Sequence, residues 1–140
     1  KLWSSEAATK ECYLLGYKTT DIALVTFDDE QLLWSDQTPQ DTIRRLHALG
    51  VKIVVVKLGA EGCLISENPE NDPVKVTTTP VETVVDSTSA GDSFNGGFLS
   101  CYLSGGSVSE ACHQGNALAR LVIQHHGAII PKYITDTLSN

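Results

Sequence analysis

Apolar and polar positions recur along the chain with two spacings, one suited to helices and one to strands. The stretch SSEAATKECYLLG opens with Ser4 or Ser5 as a capping side chain, puts Glu6 in the first turn and stops near Gly16, which predicts a helix. DIALVTF, residues 21–27, is a short apolar run ended by acids, the pattern of a buried strand. DDEQLLW resumes helical spacing. Thr38 and Pro39 then supply a cap and a first-turn proline for QDTIRRLHALG, a helix running to Gly50. VKIVVVKLG, residues 51–59, is the clearest strand. Its β-branched residues are nearly continuous, so both of its faces are predicted to be covered.

After AEG comes CLIS, a second short strand that makes a hairpin-like pair with the first, and ENPENDP follows as a polar turn. VKVTTTPVETVV reads as an edge strand, a break at Pro80 and a last strand into Asp86. From Gly91, GDSFNGGFLSCYLSGG has helical spacing with glycines that a helix tolerates. SVSEACHQGNALARLVIQHHG is a second long helix, capped by Ser107 and ended by Gly127. No internal repeat or low-complexity segment interrupts this order. Strands alternating with helices predict an α/β fold, a mostly parallel sheet with helices on both faces.

Composition narrows the classes of function. The 140 residues suit one domain, and 41% hydrophobic content can build a core. Ten basic against seventeen acidic residues leave a net charge of −7, which argues against nucleic acid as a partner, because phosphate-backbone binding needs clustered Lys and Arg. No apolar run approaches the roughly 18 residues of a membrane span, and no signal-peptide pattern opens the chain. Cys12, Cys63, Cys101 and Cys112 form no CxxC pair and have no zinc spacing to the histidines, so they read as ordinary thiols in a reducing cytoplasm. The chain contains no methionine, and it is expected to be a piece of a longer protein.

Candidate chemistry concentrates in DSTSAGDSF, residues 86–94. In an α/β sheet, ligands sit where strands end and loops lead into helices. Gly91 lets the backbone approach a ligand, and the first N–H groups of a helix have no internal partner, so the segment suits a phosphate. Asp92 at the helix start is favoured by the helix dipole, and a carboxylate beside a phosphoryl group can take the proton of an attacking hydroxyl. On spacing alone a capped helix with an acidic first turn and no chemistry is the better fit, because Asp and Ser are common at helix starts. The loop is not a Walker A, which needs GxxxxGK followed by Ser or Thr.

VVDSTSAGDSFNGGF resembles the second signature of the ribokinase-like carbohydrate kinases, roughly D-T-x-G-A-G-D followed by an aromatic and small residues. Asp86, Thr88, Ala90, Gly91 and Asp92 match. Ser87 stands where the pattern has Thr, and Ser89 where it often has Gly, which narrows the conformations open to the loop. VVVKLGAEGCLI resembles the nucleotide-side K-x-G-x-x-G hairpin of that family through Lys57, Gly59 and Gly62. Together the two motifs extend the resemblance over essentially the whole chain.

The resemblance implies that Asp92 is the catalytic base and that the amides of Ala90, Gly91 and Asp92 form the anion hole. It further implies that Lys57, Gly59, Ala60, Glu61 and Gly62 lie along ATP together with Ser89, Ala90 and Gly91. Asn116 would lie near the adenine, with HHGAI closing its other side. Lys57 read alone is equally a strand-end surface lysine, and Asn116 an ordinary polar residue of a helix face. The family's magnesium motif, N-x-x-E, falls on Phe27 to Glu30. Glu30 matches while Phe27 replaces the Asn, so a magnesium role for Glu30 through water is carried by one residue of two. Asp28 and Asp29 read as acids capping the next helix, and the pair His125–His126 does not converge on one helix face as metal ligands would.

Within the family, KLWSSEAA, TFDDEQLLW and VIQHHGAIIP look most like the members that phosphorylate 2-keto-3-deoxygluconate. The expected function is therefore ATP-dependent phosphorylation of a sugar acid at a terminal hydroxyl, with ATP and Mg2+. The resemblance leaves room for a monovalent cation and for a homo-oligomer of the full-length protein. Residues 1–140 correspond to the C-terminal, ATP-binding part of such a kinase; nothing matches the Gly-Gly sugar motif or lid sheet of the N-terminal part. The alternatives are another sugar kinase of the family and a nucleotide-binding module without transfer activity.

Overall fold

A computed structural model describes residues 5–138. Helix α1, Glu6–Tyr17, starts at Ser5, whose side chain accepts a hydrogen bond from the Ala8 amide; Ser4, the alternative cap, lies outside the described residues. Strand β1, Ile22–Thr26, leads directly into α2, Phe27–Trp34, and α3, Pro39–Ala48, follows. Thr38 and Asp41 form a reciprocal capping box at the start of α3, with Pro39 in its first turn, where the missing N–H costs nothing. Strand β2, Ile53–Lys57, is joined by a single 3-10 turn, Gly59–Glu61, to β3, Cys63–Ser66, and β4 is Val74–Val76.

The four strands lie in the order β1-β2-β3-β4. β1 pairs with β2 in parallel and β2 with β3 antiparallel, so the sheet is mixed and the CLIS hairpin forms as expected. β2 is interior, and Val54, Val55 and Val56 are fully buried. Side chains alternate across a strand, so burial of all three means that both faces of β2 are covered. Val54 and Val56 join Tyr17, Ala23, Ile43, Leu46, Val51 and Leu64 in one core cluster.

Helix α4 spans Ala90–Leu103 and α5 Val108–Val122, the latter opened by a second capping box between Ser107 and Glu110. A short helix, α6, Lys132–Thr135, and a 3-10 turn, Asp136–Leu138, follow. The contacts divide the chain into two compact units. One runs up to Leu58 and includes Cys63–Lys75; the other holds Gly59–Gly62 and the chain from Val76 onward.

Two expectations are corrected. The last strand into Asp86 is not formed: the Val85 and Asp86 amides donate instead to the Ile123 carbonyl at the end of α5, at 2.8 and 3.2 Å. The backbone thus satisfies its donors against a helix end rather than a ladder. Helix α5 stops at Val122, and residues 123–127 form a turn closed by Gly127 at φ 84°. Gly127 therefore marks the end of the turn, a few residues beyond the end of the helix.

Candidate active site

The loop entering α4 is held from its first residue. One carboxylate oxygen of Asp86 accepts the Thr88 amide at 2.8 Å, and the other accepts the Gly127 amide at 3.0 Å, across 41 residues of chain. Hydrogen bonds from Thr88, then from the Gly127 amide, hold the Asp86 carboxyl down at about 2, and the nearby His126 adds to the effect. The Ala90 amide donates to the Ser87 carbonyl at 3.2 Å, and the Ser93 amide to Ser89 at 2.8 Å.

Between them the helix start is left open. Ser89, in the N-cap position, makes no side-chain capping bond and sits at φ 62°, in the left-handed region. Among the described residues, no backbone carbonyl accepts from the Gly91 or Asp92 amide. Two adjacent donors at the positive end of a 14-residue helix are the physical requirement for holding an anion. Asp92 is exposed in the first turn of α4, so its carboxylate is accessible to a reacting group.

Helices α4 and α5 approach closely because glycines face each other. A Cβ on Gly97 would lie 2.9 Å from the Gln114 carbonyl oxygen and 3.0 Å from the Gly115 Cα. A Cβ on Gly115 would lie 2.8 Å from the Phe94 carbonyl oxygen. These glycines are required by packing, and not merely tolerated in a helix. Beside Gly115, Asn116 is buried, and its side-chain nitrogen Nδ2 has no hydrogen-bond partner among the described residues. A buried donor without a partner is costly, and in a binding protein it marks a place where a ligand acceptor would be rewarded.

In the 57–62 loop, Gly59 adopts φ 58° and Gly62 φ 94°, and a Cβ on Gly59 would meet nothing. A Cβ on Gly62 would collide with the Val76 carbonyl oxygen and lie 3.0 Å from the Thr77 Cα. Gly62 is fixed by a close backbone approach and Gly59 by its conformation alone. Ala60 and Glu61 complete the 3-10 turn on the surface. Lys57 ends β2, half-buried, in register with Thr26 on one side and Cys63 on the other.

Glu30 belongs to a different constellation. It is buried, one oxygen accepts the Tyr17 hydroxyl at 2.6 Å, and the other accepts Arg45 Nη2 at 2.6 Å. Arg45 also bonds Asp36, which accepts the Thr42 hydroxyl, and its guanidinium lies 4.8 Å from the centre of the Trp34 ring. Burial, then the bond to Glu30, pushes the Tyr17 phenol up from its usual range. Both Glu30 oxygens are thus committed to the fold, and no group of three or more His, Cys, Asp or Glu able to hold a metal occurs among the described residues. The residues present do not fit a protein-held magnesium ion. Asp28 and Asp29 lie exposed in the first turn of α2, as dipole-favoured acids.

Sequence reasoning missed three features. The Asp86–Thr88 bond was signalled by an aspartate two residues before a threonine, the pattern of a side chain that bonds its own backbone, while the bond to Gly127, 41 residues on, had no local signal. Two glycines spaced on helical faces hinted at the α4–α5 contact. The Arg45 cluster had no local signal, because its members are brought together only by the fold.

A glycine-bearing turn after an interior strand and an uncapped helix start carrying an acid are elements with which an α/β protein can hold a phosphate group. The family model for pfkB family carbohydrate kinases matches residues 1–135, and the chain belongs to that family. It is 50% identical to the 2-dehydro-3-deoxygluconokinase of Haemophilus influenzae over all 140 residues, which cover 45% of that relative. The enzyme of the same name from Escherichia coli is 46% identical over 94% of this chain and 43% of its own length. The chain therefore spans just under half of these relatives. Among solved structures, the ribokinase of Arabidopsis thaliana complexed with ribose and ATP superposes with a TM-score of 0.73 at 30% identity, covering 89% of this chain and 42% of that one.

Proposed function

We propose that the full-length protein transfers the γ-phosphoryl group of ATP to the terminal hydroxyl of 2-keto-3-deoxygluconate, and that this chain supplies its nucleotide-binding half. The observation that carries this reading is the 50% identity, over the entire chain, to a relative named for that sugar acid, since 2-dehydro and 2-keto denote the same compound. The open start of α4 gives the name a physical counterpart.

In this reading the Gly91 and Asp92 amides hold the transferred phosphoryl group, and the Ala90 amide contributes by sharing its bond to Ser87. Asp92 accepts the proton of the sugar hydroxyl as its oxygen attacks the γ-phosphorus. The bond from that phosphorus to the bridging oxygen breaks, and ADP leaves with the electron pair. The turn from Gly59 through Ala60 and Glu61 to Gly62 lines the nucleotide with Ser89, and the buried Asn116 amide donates towards the adenine. A magnesium ion carried by the nucleotide would neutralise its phosphates, and Glu30 keeps a structural role between Tyr17 and Arg45.

The test is a coupled assay of ADP release by the full-length protein with 2-keto-3-deoxygluconate, ribose and fructose 6-phosphate offered in turn. Turnover on the sugar acid at least about tenfold above the other two in kcat/KM supports the reading. Equal turnover, or none with the sugar acid, overturns it.

A further inference from the structure

Glu30 lies in the first turn of α2, where the N-x-x-E resemblance puts an acid for magnesium, yet its surroundings are those of a side chain that joins helices. It is only 4% exposed. One oxygen accepts the hydroxyl of Tyr17, the last residue of α1, and the other accepts Arg45 Nη2 from α3, each at 2.6 Å. Three helices thus meet on one carboxylate. Its main partner is fixed in turn. Arg45 Nη2 also donates to Asp36 at 2.7 Å, Asp36 accepts the Thr42 hydroxyl at 2.7 Å, and the guanidinium lies 4.8 Å from the centre of the Trp34 ring. Magnesium keeps several of its waters, so a carboxylate that assists it must face solvent. A hydrated ion at Glu30 would have to displace the Tyr17 hydroxyl or the guanidinium. A displaced guanidinium would then stand beside the ion, like charge against like.

We propose that Glu30 is the hub joining α1, α2 and α3 and not a metal ligand, so that this protein's use of magnesium does not pass through the acid of its N-x-x-E match. The part concerning magnesium rests on the kinase reading above; the part concerning the three helices does not. The two roles make opposite demands on one side chain. A hub needs its carboxylate buried and its partners intact, so its loss is felt in stability. An acid that meets a hydrated metal needs exposure, and its loss is felt in the metal concentration the reaction requires.

The experiment uses the full-length protein with Glu30→Gln, with Tyr17→Phe and with both changes together. Two quantities are read: the melting temperature, and the Mg2+ concentration that gives half the maximal rate at a fixed ATP concentration. Glu30→Gln keeps the size of the side chain and deprives the largely buried Arg45 guanidinium of one of its two carboxylates. The melting temperature should therefore fall by about 5 °C or more. Tyr17→Phe should lower it by a smaller amount. The double variant should lose less than the sum of the two, because both changes act on the same bond. The half-saturating Mg2+ concentration should stay within about twofold in all three. An acid that met the metal through water would instead raise it about tenfold or more and leave the melting temperature nearly unchanged. A rise of that size in a folded Glu30→Gln variant overturns the inference, as does an unchanged melting temperature or a pair of losses that simply add. Should Glu30→Gln fail to fold, Glu30→Asp, whose shorter side chain keeps the charge but cannot reach both partners, is judged by the same two readings. Failure of the kinase reading is recognised separately: the unaltered protein would then show no Mg2+-dependent turnover, while the melting temperatures still decide whether Glu30 is the hub.

Discussion

Ser89 shows how one residue type can strain a functional loop. At this position the family pattern often has glycine, and the backbone stands at φ 62°, where a Cβ costs about 1–2 kcal/mol. Its hydroxyl makes no capping bond that would offset the cost. Ser89→Gly should therefore stabilise the full-length protein by about 0.5–1 kcal/mol, after allowance for the greater freedom of glycine in the unfolded chain. Urea unfolding checks this, and a loss of stability would show that the left-handed conformation is not what the loop adopts. The sequence pattern made the departure at Ser89 visible. Its strain was not, because a backbone dihedral angle cannot be read from residue types alone.

At the scale of elements, α4 carries a pair of adjacent glycines with opposite consequences. A Cβ on Gly96 would meet nothing, whereas one on Gly97 would press into the backbone of α5. Gly96→Ala should stabilise by about 0.5–1 kcal/mol through helix propensity. Gly97→Ala should destabilise by about 1–3 kcal/mol through overpacking. Thermal unfolding of the two variants decides it, and similar shifts in both would refute the close α4–α5 approach. Periodicity located both long helices, and Thr38-Pro39 and Ser107 were legible as caps because they are local signals; the reciprocal bonds of Asp41 and Glu110 were not read. It could not say which glycine faces α5, because that depends on the rotation of one helix against another. It also misassigned residues 81–86 as a strand. Val84 and Val85 have the composition of one, but the Val85 backbone finds its acceptor at the end of α5.

At the scale of the whole molecule, the chain belongs to the pfkB family of carbohydrate kinases and covers just under half of the relatives it matches. Its acidic balance, with a net charge of −7, gives a polyanionic ligand no broad attraction. A phosphate would then have to be held by local devices, and the uncapped start of α4 has two, the Gly91 and Asp92 amides. The DSTSAGDSF motif was legible because it encodes that helix start in nine contiguous residues. Glu30 looked like a ligand for the opposite reason: a short motif match said nothing of Tyr17 and Arg45, which occupy its oxygens.

The claim that α4 begins with an anion hole and an adjacent base is tested most directly by Asp92→Asn in the full-length protein. Asparagine keeps the shape of the side chain and the backbone amides, and removes only the proton acceptor. ATP affinity by calorimetry should stay within about threefold of the unaltered protein, while kcat falls by about 10²–10⁴. Near-normal turnover in a folded Asp92→Asn variant would contradict the role of base and reduce Asp92 to an acid in the first turn of a helix.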